Sequence, residues 1–147
     1  MNTMNPMRGA AAVAAAVALL AGCATHVVSL PLQPDAATSA TGSAVALYFG
    51  SQPHPDVERH LGSVSHSVRV ARTTDGQQAS CNLALAEALR QLRFDATKKE
   101  ANAIINITTR FHSTKSDSPT DYTCGVSTSA AAIAVRGDLV VLRADQR

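Results

Sequence analysis

Tryptophan is absent, and Phe and Tyr together make up only 3% of the 147 residues. That poverty argues against base-stacking platforms and aromatic sugar sites. Charge of one sign is scarce too: 13 Lys and Arg stand against 11 Asp and Glu, for a formal net charge of +2. Such a balance leaves no electrostatic footprint for nucleic acid. There is no Gly-x-Ser-x-Gly elbow, no distinctive acid–base cluster and no Gly-rich loop ending in Lys-Ser/Thr, so neither hydrolase nor nucleotide chemistry is signalled. No catalytic residue and no cofactor is implied.

Long hydrophobic runs are missing as well. The most apolar stretch, Ala10 to Leu20, is about half the roughly 20 residues needed to cross a hydrocarbon core. It follows a polar start with one positive charge, Arg8, and it runs into Leu20-Ala21-Gly22-Cys23. That order is a signal peptide rather than a membrane helix, and the four-residue box resembles the lipobox of bacterial lipoproteins. The resemblance implies a signal peptide over residues 1–22, cleavage before Cys23 and lipidation of its thiol. An ordinary secretory signal with an incidental cysteine is the competing reading. Met4 and Met7 are alternative starts from which the signal would still work. Three acyl chains would make the anchor stable, since each buried methylene contributes about 0.8 kcal/mol. Ala24 stands where Asp would retain a lipoprotein at the inner membrane, so the expected place is the outer membrane, facing the periplasm.

Removing the signal leaves 125 residues, enough for one domain with a modest core. Residues 23–43 hold Pro31, Pro34 and many Ala, Ser and Thr, with no Lys or Arg. They read as a lipidated flexible tether lifting the domain, residues 44–147, off the membrane. Val45 to Phe49 predicts a first strand. Ser63 to Arg72 predicts a second, with Val64, His66, Val68 and Val70 on one face. Asp75 and Gln78 look like a capping box opening a helix. Leu85, Leu89, Leu92 and Ala96 form its apolar stripe, with Cys81 on the same face. Ala103 to His112 predicts a third strand in which Ile105, Ile107, Thr109 and Phe111 point one way. Ser113 to Thr120 reads as a polar loop. The chain returns through Tyr122 to Val126, Ala130 to Val135 and Leu139 to Leu142, with Gly137 and Asp138 read as a bulge or tight turn. The fold class is α+β: a small sheet of about four strands packed on one principal helix.

With Cys23 taken by lipid, Cys81 and Cys124 remain in an oxidising compartment, where pairing is the default. A bridge across 43 residues would contribute roughly 4 kcal/mol. Two free thiols serving as metal ligands or redox groups are the alternative. His54, His60 and His66 recur every six residues, with Asp56 four before His60. Imidazoles and a carboxylate can hold Zn or Cu, although the strand and the prolines do not assure them a common face.

The segment Cys81-Asn82-Leu83-Ala84-Leu85, followed by Ala101-Asn102-Ala103-Ile104-Ile105-Asn106-Ile107, Cys124 and Val135-Arg136-Gly137-Asp138-Leu139-Val140, resembles a known domain. It is similar to the domain shared by RcsF-like outer-membrane lipoproteins and YbjQ-like heavy-metal-binding proteins. The similarity covers about half the chain. It implies a compact domain without catalytic residues that senses envelope stress and transduces signals through protein contacts. It also implies pairing of the cysteine before the helix with the one ahead of the final strand, the places of Cys81 and Cys124. Glu100 stands where that family commonly has Gly. The partners implied are the membrane, through the anchor, and envelope or inner-membrane signalling proteins. A periplasmic metal-binding role and a homo-oligomeric structural role are the alternatives.

Overall fold

The computed structural model describes residues 24–34 and 44–144. The lipobox residues Leu20, Ala21, Gly22 and Cys23 lie outside the described residues. Among the described residues, seven strands and one long helix follow in the order β1 (His26–Pro31), β2 (Ala46–Phe49), β3 (Val57–Ala71), α1 (Gln77–Lys98), β4 (Ala103–Phe111), β5 (Thr114–Ser116), β6 (Asp121–Val126) and β7 (Ala130–Leu142). The class is α+β: among the described residues one helix packs on a mixed sheet, with seven strands where about four are expected. Among the described residues no helix is long and apolar enough to cross a membrane.

β7 is the spine. One edge pairs along its length with β3, antiparallel. The other edge pairs with β6 at Ala131 and Ala132 and then with β4 from Ala134 to Val140. β2 joins β4 in parallel, β5 caps the far end of β4, and β1 pairs antiparallel with β6. The alternation in β3 places Val64, Val68 and Val70 toward the helix. His66 is in phase with them, and its Nε2 lies 2.6 Å from Asp95 Oδ2 on α1. The helix answers with Cys81, Ala84, Leu85, Ala88, Leu89, Leu92 and Ala96, all buried. This is the apolar stripe legible in the sequence, widened by two alanines that let the helix approach the sheet closely.

Several expectations are corrected: the stretch Ser113 to Thr120 read as a polar loop contains β5, Thr114–Ser116, paired with the end of β4. The tether does not extend over residues 23–43: His26–Pro31 is a strand in register with β6, so the folded domain begins well before residue 44. Val28 and Leu30 point inward and pack against the core. Six residues carrying two inward side chains, ending on Pro31 with Pro34 close behind, are too short a pattern to stand out. The Asp75–Gln78 capping box is not formed. The helix starts one residue after Gly76, which has φ 104° and provides no side-chain cap. Ser80 works from inside the first turn instead, donating to the Gly76 carbonyl and accepting from the Thr73 amide at 2.9 Å each. Finally, Gly137 and Asp138 do not interrupt β7. The irregularity sits on its partner, where the β4–β7 register shifts between Ile105 and Thr108 and Asn106 has φ 53°.

That bulge explains why a strict two-residue period misreads β4. The extra residue puts Ile104 and Ile107 together in the helix-side core, while Ile105 joins Ala103, Val140 and Leu142 in a second cluster. Gly137 is the floor beneath the pair. A Cβ there would come within 2.4 Å of Ile104 and 3.2 Å of Ile107. Asn106, thrown outward, donates to Asp138 at 3.0 Å.

The helix ends in a Schellman turn. The Ala101 amide donates to the Ala96 carbonyl at 2.9 Å and the Glu100 amide to the Thr97 carbonyl at 3.1 Å. Ala96 and Ala101 are both buried, and Glu100 takes the left-handed conformation at φ 59°. Asn102 then acts as a piece of strand edge. Its side chain donates to the Leu142 carbonyl at 2.9 Å and accepts from the Leu142 amide at 2.7 Å. A buried disulfide joins Cys81 to Cys124, Cα to Cα 6.0 Å, and stitches α1 to β6.

These joints set two expectations for stability. Left-handed backbone costs a residue with a Cβ about 1 kcal/mol relative to Gly, so Glu100→Gly is expected to raise the unfolding free energy in urea by about that amount. Unchanged or lower stability would show that the Glu100 side chain has a compensating role. Replacing both bridge cysteines by Ala is expected to lower stability by up to about 4 kcal/mol, measured the same way.

Candidate functional site

The two faces of the sheet differ sharply. One is covered by α1. On the other, Val140, Leu142, Ala103 and Ile105 are buried, with Tyr48 and Val57 packed on them. His54 sits over this end, its ring 5.5 Å from Tyr48. Beyond Asp138 the covering stops. β7 presents Arg136, Ala134 and Ala132, whose small alanines form a low floor. Register sets the neighbours. Ser65 and Thr108 flank Arg136, Ser67 and Arg110 flank Ala134, and Lys115 lies across from Arg110.

The result is a shallow basin of about 200 Å³ bordered by Ser65, Ser67, Thr108, Arg110, Lys115 and Arg136. Arg110, Lys115 and Arg136 are exposed. His66 also borders the basin, but its ring is engaged with Asp95 on α1, and the Arg90–Glu87 ion pair lies away from the basin on the helix. Arg136 makes one hydrogen bond along the rim, to Ser63 Oγ at 3.0 Å. Three cations over an alanine floor, flanked by hydroxyls, form a surface suited to anionic groups through charge-assisted hydrogen bonds.

Groups with displaced pKa values often mark chemistry. Here Glu87 is held down to about 2 by hydrogen bonds from Arg90 and Gln91. Burial pushes the Tyr122 phenol up, and its hydroxyl donates to Asn82. Burial also pulls Arg93 down. None of these groups borders the basin.

The candidate metal ligands are spread out. His54 faces Tyr48 and bonds the Pro55 carbonyl, His60 is exposed on β3, and His66 is engaged with Asp95. No group of three His, Cys, Asp or Glu that could hold a metal occurs among the described residues. Cys81 and Cys124 are joined to each other. The basin itself was not found from sequence. Its residues are scattered over four strands, and only the cross-strand register, reset by the Asn106 bulge, collects them.

No family model, curated protein or solved structure matches this chain.

Titrating the protein with micromolar Zn in a calorimeter is expected to give no saturable heat. A saturable isotherm lost in a His60→Ala variant would establish a metal site on β3.

Proposed function

We propose that this chain is an outer-membrane lipoprotein, anchored through Cys23 and facing the periplasm. Its α+β domain serves as a non-catalytic contact module in envelope stress signalling. The observation that carries the reading is the basic basin. Exposed cations with no carboxylate partner among the described residues, on a sheet face that none of the groups of displaced pKa borders, suit recognition of an acidic partner surface better than turnover of a substrate. Complementary charge raises encounter rates and sets orientation. The bond from Cys81 to Cys124 is consistent with an oxidising compartment, and the order of Arg8, apolar run and Leu20-Ala21-Gly22-Cys23 supports export and anchoring. The similarity of residues 81–142 to the RcsF-like domain supports the signalling role.

A photo-crosslinking residue placed at Ser65 or Ser67 in cells tests this. A specific envelope or inner-membrane protein is expected in the adduct, and Arg110→Glu with Arg136→Glu is expected to abolish it. Adducts equal in kind and yield from a probe at Ala86, on the exposed side of the helix, would overturn the basin as the contact surface.

A further inference from the structure

The shortened tether has a geometric consequence that goes beyond the signalling role and rests on the anchoring of Cys23. Only Ala24 and Thr25 separate Cys23 from His26, the first residue of β1, which is locked in register with Val126 of β6. Three Cα steps reach at most about 11 Å. The headgroup layer on each side of a bilayer is itself roughly 6 Å deep. A cysteine whose acyl chains lie in the hydrocarbon would therefore draw the start of β1 to the headgroups and hold it there.

The end of the sheet that would meet the membrane has a suitable surface. At this end β6 turns into β7 through Ser127–Ser129, β3 finishes at Ala71, and Arg72 is fastened to the turn. Its side chain donates to the Ser127 carbonyl at 2.8 Å, and its amide to the Ser129 carbonyl at 2.9 Å. Cross-strand partners place Arg69, Ala132, Gly125 and Val27 in one row across four strands. Val27 is an apolar side chain left 44% exposed. The Phe111 ring lies against Gly125, where a Cβ would come within 2.3 Å of it. His112 stacks edge-on against that ring. Arg69, Arg110, Phe111, His112 and Ala132 line a cleft of about 310 Å³. The segments that meet here, 24–28, 69–78, 110–113 and 125–132, carry Arg69, Arg72, Arg110, His26 and His112 against one carboxylate, Asp75. Cations beside an exposed valine and a half-buried phenylalanine ring are a composition that headgroup phosphates and the acyl boundary favour.

We infer that the domain lies directly on the membrane that holds its anchor, with the Val27–Phe111 edge against the surface and Arg69 and Arg72 on glycerophospholipid phosphates. The basic basin then opens sideways, close to the surface rather than far out in the periplasm. The distal end, with Val57, Glu58 and Arg143, points away.

The absence of tryptophan makes the test direct. Purified full-length lipoprotein carries a single reporter, Thr128→Trp in the β6–β7 turn or Glu58→Trp at the distal end. It is placed in vesicles of phosphatidylethanolamine and phosphatidylglycerol containing a lipid quencher near the headgroup. Strong quenching is expected at position 128 and little at 58. The docked-to-undocked ratio is expected to fall about fivefold for each arginine neutralised in Arg69→Gln and Arg72→Gln, with far-ultraviolet circular dichroism checking that the fold is kept. Equal quenching at 128 and 58, in protein whose mass shows acylated Cys23, overturns the docking and leaves this end for a protein partner. Absence of acyl mass on Cys23 overturns the docking and the anchoring reading together.

Discussion

The bond between Cys81 and Cys124 governs more of this molecule than its two residues suggest. α1 rests chiefly on β3 and β7, while β6 pairs with the spine at Ala131 and Ala132 alone. Without the bridge, β6 would be held by that short pairing, by the Thr123 amide donating to Thr109 Oγ1 at 2.8 Å, by the Tyr122 hydroxyl donating to Asn82 of α1, and by packing of Tyr122 and Val126. β1 in turn is held by β6. One covalent link inside the core therefore secures a strand pair that ends at the residues next to Cys23. A cross-link that closes a long loop acts chiefly by restricting the unfolded chain. Here it also couples the helix to the part of the sheet nearest the proposed anchor.

The second constraint is the bulge at Asn106. A single extra residue on β4 sends both Ile104 and Ile107 into the helix-side core over Gly137 and turns Asn106 outward onto Asp138. It also restores phase for Thr108 and Arg110, so that both face the open basin. A regular β4 would have placed Arg110 and Ile107 on opposite sides from those they occupy. The basic character of the exposed face and the filling of the core thus come from one backbone irregularity, a common use of bulges near functional surfaces.

The sheet face opposite the helix divides into a covered half and an open half. Tyr48, His54 and Val57 close over Val140 and Leu142, and the covering ends at Asp138. The open half is basic and lies toward the end where β1 begins. Anchoring at Cys23 would give the basin a fixed height and direction relative to the membrane, which a free tether would not. A partner recognised there would be met in a restricted orientation, at a raised local concentration.

Much of this was readable from residue order, because local periodicity survives folding where an element is long and one-sided. The stripe of Leu85, Leu89, Leu92 and Ala96, the valine face of β3 and the α+β class all come from patterns within one element, and the cysteine count pointed to the pairing the structure contains. Most of the misreadings share a cause: they concern relations between elements. β1 needs β6 to be a strand, and β5 needs the end of β4. β7 reads as two pieces until the bulge is seen on its neighbour, and the Asp75 cap fails because Gly76 opens the helix one residue later. Composition and spacing by themselves determined the class, the principal helix and the outline of the core. Which face stays open, which cations share it and how near the folded chain comes to Cys23 were decided by cross-strand register, a property that no single segment encodes.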